Sequence, residues 1–511
     1  MTWLSKTTKH IKQPQTILFA CAFILIAILR LTNITQTPPG FYKDEAGIAV
    51  NGYSILKTGK DEYGRILPLF FENFGDFKEP IFIYSQLPAM LIWGYDITAT
   101  RITAGLWGLA TILVFCYLIK IKLKNDWLVI VGLLVLGLMP WHIHFSRIGF
   151  QLITLPFFFT LFLIFYIKLI QSHNSKYLTA IAITCASMFY TYYAGRYLAI
   201  VYLLFTIWMT RKIFHYKYFV RSIIIFAMIL IPVIIWSEKY PNLLTARFNT
   251  VSIIQRDNSI EQIVNQYISG YLQHYSLDFW FVIGDRNVRH SVQYHYPLLW
   301  AMIPFSISGL YCLVRHRKDK FNQLILFTIV TFPAVSALTK DAPHIHRIIF
   351  MVPIVSYVLT IGIKEIIIIL ARKKMAIQYG IIALWLIIVI IESIDVYHYY
   401  HSDYAYRAKP WFHVNDIAAI EKLLEYPKPH IISFAVAEYR MSTYHLVAQI
   451  NPEQLHQGLS DVHSENIYNL SKYRSGHYLV GGEECNALPT MFSNTQLLEK
   501  IHEFCIYRVQ L

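Results

Sequence analysis

Long apolar runs recur along the chain and are separated by short polar stretches, many of them basic. Several of these runs approach the roughly 20 residues that cross a ~30 Å hydrocarbon layer at about 1.5 Å per residue. The pattern predicts a polytopic α-helical membrane protein with a small C-terminal α/β domain. The predicted helices cover Thr16–Leu31, Ile102–Ile119, Trp127–Trp141, Leu152–Ile170, Tyr177–Tyr192, Arg196–Met209, Phe219–Trp236, Pro297–Val314, Phe321–Leu338, Ile345–Leu370 and Ile377–Ile394. One further apolar run, Ile81–Tyr95, is only about 15 residues long and has Pro80 and Pro88 beside it, so it is predicted to lie at the interface or re-enter.

The basic residues set the direction of threading. Lys6, Lys9 and Lys12 predict a cytoplasmic N-terminus, and the first apolar run reads as an uncleaved helix because no small-residue cleavage site follows it. With Ile81–Tyr95 not crossing, about eleven crossings put four basic clusters on the cytoplasmic side. These are Lys120/Lys122/Lys124, Arg211/Lys212/Lys217/Arg221, Arg315/Arg317/Lys318/Lys320 and Arg372/Lys373/Lys374. Residues 1–395 then form a transmembrane catalytic domain with outer loops 32–95 and 237–296. Residues 396–511 form an extracytoplasmic α/β domain, in which Ile431–Val436 and Cys505–Val509 read as strands and Gln496–Phe504 as a helix. The expected location is the plasma (inner) membrane.

Composition narrows the classes. Of the 511 residues 55% are hydrophobic and only 15% charged, against about 25% in soluble domains, which excludes disorder and an ordinary soluble enzyme. The net charge of +14 would suggest nucleic acid in a soluble domain, but here it follows the cytoplasmic clusters, so no nucleic-acid partner is expected. The six cysteines contain no Cys-x-x-Cys pair. Cys485 and Cys505 are the pair predicted to lie outside, where a disulfide is permitted.

The predicted outer side collects the candidate chemistry. Asp44 and Glu45 follow the first helix and open a helical segment, Ala46–Lys57, closed by Gly59. Asp44 is either an N-cap or a carboxylate base at the membrane surface. Lys78, in Asp76-Phe77-Lys78-Glu79-Pro80, is placed either to snorkel or to hold a lipid phosphate. Arg147, Arg196, Arg289 and Arg347 come from four separate outer segments, with Tyr and Trp beside them, and fit an anionic head group. Asp285, His290 and His344 lie in the same segments. The two His-x-His pairs, His142/His144 and His344/His346, are poor metal signals, because residues two apart on a helix face apart. There is no GxxxxGK[ST] loop, no HExxH and no Asp-x-Asp, and the predicted helix centres carry almost no ionisable residue.

In order along the chain, Asp44-Glu45, Lys78-x-Pro80, the Arg101–Gly108 stretch, Pro140-Trp141-His142, Phe145-Ser146-Arg147, Tyr190-Thr191-Tyr192, Gly284-Asp285, Arg289-His290-Ser291, Pro343-His344 and Arg347 resemble the bacterial membrane glycosyltransferases of the GT-C fold. Within these, the set is similar to the family 39 group, relatives of protein O-mannosyltransferases and of the lipid A aminoarabinose transferase. The resemblance implies transfer of a sugar, with inversion, from a polyprenyl-phosphate carrier to an acceptor hydroxyl on the non-cytoplasmic face. It implies Asp44 as base, with Glu45 beside it, and Lys78, Arg147, Arg196, Asp285, Arg289, His290, His344 and Arg347 around the substrates. The acceptor is a glycan, lipid or protein, and membrane lipids surround the enzyme. No cofactor is read from the sequence. A divalent metal is left open, with Glu45, Asp76 and Glu79 as nearby oxygen ligands. The alternatives are a transporter or flippase of lipid-linked sugars, which should show a polar interior path, and a glycan polymerase or ligase of similar architecture.

Overall fold

Each of the eleven predicted helices is present as a helix, and the places where their lengths differ follow from proline and local capping. The computed structural model of the protein describes residues 4–73, 76–294, 296–432, 443–456, 475–481, 485 and 494–510. Among the described residues, eight helical segments are long and apolar enough to cross a membrane: Pro14–Leu31, Ile97–Leu123, Gln151–Ser172, Tyr193–Thr210, Tyr216–Lys239, Lys320–Ala337, Ile345–Leu370 and Met375–Ala408. The protein is a multi-pass membrane protein.

The other three predicted crossings are shorter helices, Asp126–Gly137, Lys176–Met188 and Ile303–Arg315. The helix expected to run to Trp141 stops at Gly137, because Pro140 starts a new short helix, Pro140–Phe145. Asn125 caps Asp126–Gly137, its side chain accepting from the Trp127 and Leu128 amides. Ile81–Tyr95 is a pair of short helices, Pro80–Ser85 and Leu87–Trp93, each opened by a proline in its first turn.

The chain divides into two compact units. The first comprises residues 1–32, 104–147 and 151–402; the second comprises 33–103, 148–150 and 403–511. The first unit is the helical bundle. Its helices Ile303–Arg315 and Val352–Leu370 approach closely through Gly309 and Gly362, as a Cβ on either would meet the backbone of the other helix. Small residues are what let helices approach at such points, since lipid offers no hydrophobic drive between them. Aromatic rings fill another part of the bundle, with Phe205 stacked on Phe327 at 4.4 Å and Tyr202 donating to the Thr328 hydroxyl. The helix Tyr216–Lys239 leaves Ile223, Ile224, Ile231, Ile234 and Ile235 exposed, an apolar face suited to lipid.

The second unit combines the segment after the first helix with the C-terminal segment. Helix Lys43–Thr58 packs Ala46, Ala49 and Val50 against Ala89, Met90, Tyr95 and Leu446. It is closed by Gly59 at φ +70°, a left-handed C-cap. Strands β1 (Phe71–Asn73) and β2 (Asp76–Lys78) form a hairpin that pairs Phe71 with Lys78. A four-stranded sheet contains β3 (Pro429–Ile432), β4 (Gly476–Gly481), β5 (Thr495–Ile501) and β6 (Phe504–Val509), in the order β3-β4-β6-β5. Only β3 and β4 run parallel. Helix Val414–Leu423 covers it, burying Ala419, Ile420 and Leu423 on Leu479, Phe504 and Ile506.

The strand expected at Cys505–Val509 is β6, and a disulfide joins Cys505 to Cys485. The strand expected at Ile431–Val436 is seen through Ile432, and its remainder lies outside the described residues. The helix expected at Gln496–Phe504 is instead strand β5 and the turn after it. The apolar spacing of Leu497, Leu498 and Ile501 fits a helix face, but pairing along the whole of β6 satisfies the backbone of both strands, and His502 at φ +54° turns the chain between them.

Candidate functional site

In the second unit the helix Lys43–Thr58 presents two carboxylates in its first turn, where the dipole favours negative charge. Tyr42 is the N-cap, so Asp44 is not the cap that one reading expected; it lies one position further in than the first helical residue. Asp44 Oδ2 stands 3.4 Å from Lys78 Nζ, and its side chain keeps 28% exposure while that of Lys78 keeps 8%. Lys78 is the last residue of β2, and Glu79-Pro80 then starts the next helix, so strand and helix start together fix the stem of the lysine.

Glu45, the adjacent residue, is fully buried and fully engaged. Arg101 donates through Nε to Oε1 at 2.9 Å and through Nη2 to Oε2 at 3.0 Å. The Gly149 amide donates to Oε1 at 2.8 Å and the Tyr42 amide to Oε2 at 3.0 Å. The remaining donors of Arg101 go to the carbonyls of Ile34, Pro38 and Gly40. This bidentate pair ties the loop after the first helix to the helix that carries Asp44. Gly149 is required there, since a Cβ would stand 2.5 Å from Thr100 Cγ2 and 3.4 Å from Glu45 Oε1. Sequence reading placed Arg101 in its resemblance but gave it no role. Its partners are the Glu45 carboxylate, 56 positions away, and three backbone carbonyls, which leave no side-chain signal.

In the first unit, Arg147 is nearly fully buried. It donates to the carbonyls of Leu29 and Thr32 at the end of the first helix, and its guanidinium stands 6.0 Å from the Tyr400 ring. Arg289 accepts through its carbonyl from His144 Nε2 at 2.9 Å, and its Nε donates to Asn287 Oδ1. Arg196 stacks over Tyr193 at 4.8 Å. Arg196 and Arg347 line a cavity of about 260 Å³, together with Arg247, Tyr192, Tyr193 and Thr339. Arg347 donates to the Thr339 hydroxyl and lies 3.7 Å from Asp341. Arg247 was not singled out in the sequence, where it is an isolated cation in a long loop.

Asp285, His290 and His344 converge in the same unit. Asp285 Oδ2 lies 3.0 Å from His344 Nδ1 and 3.6 Å from His290 Nδ1. The Asn287 amide donates to Oδ1 at 2.6 Å and the Ile345 amide to Oδ2 at 3.3 Å. Burial pushes His290 and His344 down to about 4, against the upward pull of Asp285, so both rings are neutral near pH 7. Burial alone would raise the Asp285 carboxyl, but the two flanking imidazoles reverse this and hold it below its ordinary range. His346 stacks on the His290 ring at 4.5 Å and meets the Tyr192 hydroxyl at 2.8 Å.

No family model matches the sequence, and no curated protein matches it. Solved structures do. The chain is similar to ArnT from Cupriavidus metallidurans bound to undecaprenyl phosphate, with TM-score 0.63 and 10% identity over 96% of this chain and 97% of that one. The chain has the GT-C fold. Apo ArnT from the same organism gives 0.60 at 11% identity, covering 97% and 98%. The GT-C likeness extends to the archaeal oligosaccharyltransferase AglB from Archaeoglobus fulgidus in complex with an inhibitory peptide and a dolichol-phosphate, at TM-score 0.53 and 12% identity over 93% of this chain and 70% of that one.

Proposed function

We propose that the protein is a glycosyltransferase that moves a sugar from a polyprenyl-phosphate carrier to an acceptor hydroxyl, with inversion, on the non-cytoplasmic face of the plasma membrane. The acceptor is a glycan, lipid or protein. The N-terminus is cytoplasmic and the C-terminal segment lies outside. The observation that carries the reading is the Asp44–Lys78 pair, a half-exposed carboxylate at the start of a helix with a buried ammonium 3.4 Å away. Likeness to ArnT and AglB structures that hold undecaprenyl phosphate and dolichol-phosphate supports the same donor class.

The acceptor oxygen attacks the anomeric carbon as the bond from that carbon to the carrier phosphate breaks. Asp44 takes the acceptor's proton, and the carrier leaves as polyprenyl phosphate. Charge grows on the phosphate, which a fixed cation stabilises, while the sugar gains oxocarbenium character. Lys78 is the cation assigned to that phosphate. Before the donor arrives Lys78 neutralises Asp44; a phosphate that draws Lys78 to itself leaves the carboxylate to the acceptor. Glu45 acts through position, because its four hydrogen bonds hold the first turn that carries Asp44. The cavity of Arg196, Arg247 and Arg347 is assigned to an anionic head group, which guanidinium groups bind well.

Asp44→Asn keeps the size and removes the base. We expect transfer from a polyprenyl-phosphate sugar to fall about 10²–10⁴-fold while the purified protein stays monodisperse and still binds polyprenyl phosphate. Transfer at the wild-type rate would reject the assignment.

A further inference from the structure

We infer that Asp285, His290 and His344 form a binding site for a borderline divalent transition ion of the zinc class. Their ligand atoms, one carboxylate oxygen and two imidazole nitrogens, all lie within 4.8 Å of one another, and all three side chains are buried. Donors placed about 2.0–2.1 Å from a tetrahedral zinc ion lie roughly 3.3 Å apart. The two carboxylate-to-imidazole separations, 3.0 and 3.6 Å, bracket that value.

A simple carboxylate–imidazole hydrogen bond explains the cluster less well. His344 Nδ1 at 3.0 Å and His290 Nδ1 at 3.6 Å both converge on one carboxylate oxygen, Asp285 Oδ2. Two imidazole nitrogens drawn to the same carboxylate oxygen from separate segments form the cluster that a shared cation completes. The chemistry of the set agrees, because two imidazoles and one carboxylate suit zinc or cobalt(II) far better than magnesium or calcium, which take oxygen ligands.

The surroundings are those of a held site. The Asn287 and Ile345 amides fix the Asp285 carboxylate. Tyr296 donates to the His290 carbonyl at 2.9 Å, and the His344 amide donates to His274 Nε2 at 3.3 Å. Such outer contacts orient ligands before an ion arrives. Gly284, at φ +71°, lets the chain turn into Asp285 where a Cβ would strike Tyr296 and Ser291. Three protein ligands leave one tetrahedral position for water or an anionic oxygen. The His-x-His spacing also makes sense: only His344 of the pair serves the site, while His346 bonds Tyr192. This inference stands apart from sugar transfer, since its readout is the ion.

The full-length protein, purified in detergent, would be stripped with a chelator and titrated with cobalt(II) and, separately, with zinc(II). We expect one ion per chain with micromolar or tighter affinity, the visible ligand-field absorption of four-coordinate cobalt(II), and two imidazole-type ligands by X-ray absorption. His290→Ala, His344→Ala and Asp285→Asn should each weaken binding about 10–100-fold or more, whereas Asp341→Asn should bind as wild type. A stripped wild-type protein that takes up no cobalt(II), or takes it up without imidazole ligation, overturns the inference. So does a properly folded His290→Ala/His344→Ala variant with undiminished affinity. The wild-type titration needs no variant, so a substitution that fails to fold leaves the decision intact.

Discussion

Two carboxylates in the second unit sit in opposite company. Glu45 meets a guanidinium and two amides, whereas Glu62 meets Asn51 and the acidic Asp61 and Glu72. Removing Arg101 should therefore strand a fully buried charge. Arg101→Ala is expected to cost about 3–5 kcal/mol, read as a lowered unfolding temperature, and Arg101→Lys should recover only part because it lacks the bidentate fork. For Glu62, burial, reinforced by Asp61 and Glu72 and opposed by Asn51 and Arg65, pushes the carboxyl up to about 8. A carboxyl raised in the folded state stabilises fully below its unfolded value of about 4.3 and loses that contribution as pH rises through the folded value. Thermal stability of the wild type should thus decline between about pH 5 and 8.5, and Glu62→Gln should remove that decline. Parallel profiles for the two proteins would refute the account. At this scale the sequence exposes acids and bases but not their neighbours. Asp44 and Lys78 were legible because both sit in short polar motifs between apolar runs. The engagement of Glu45 was not, because Arg101 lies 56 positions away and the Gly149 amide 104.

Elements were legible where periodicity had no competitor. Apolar runs in lipid have one good solution, the helix, because every backbone group must be satisfied within the segment. Helix ends depended on capping groups, as at Pro140 and Asn125. Strand β5 was illegible because its apolar positions suit a helix and only β6, across a short turn, makes the strand better. Contacts between helices were equally hidden. Nothing in the sequence pairs Gly309 with Gly362, yet a Cβ on Gly309 would lie 2.1 Å from the Val358 carbonyl oxygen, and one on Gly362 would lie 2.0 Å from that of Phe305. Backbone cannot give way as a side chain does. Gly362→Leu should force the two helices apart at a cost of at least about 1–3 kcal/mol, seen as earlier thermal aggregation in detergent. Gly380→Leu, with open space around its Cβ position, is the control and should be neutral.

For the molecule as a whole, charge bias alone predicted which ends of the helices share a side, and contacts within the helical unit agree with it. Lys122, from one basic cluster, pairs with Asp319, from another, at 2.9 Å through both carboxylate oxygens. Arg221, from a third, donates to the carbonyl of Ser175, in a loop predicted to lie on the same side. Segments predicted to lie opposite also meet one another: the Trp141 amide donates to the Pro297 carbonyl, and the Lys340 amide to that of Val251. No contact of this kind could form between residues on opposite faces of a ~30 Å layer, so the grouping of the loops follows from the fold. Which group faces the cytosol does not follow from contacts, and rests on the Lys and Arg excess. Cysteine labelling decides it. In a background with Cys21 and Cys312 replaced by serine, Lys340→Cys and Lys373→Cys both place a thiol on an exposed residue. In intact cells whose outer barrier admits the reagent, a membrane-impermeant maleimide should label position 340 directly. Position 373 should react only after the membrane is opened. The reverse order would invert the helical unit, turn Arg372, Lys373 and Lys374 outward, and overturn the proposed orientation.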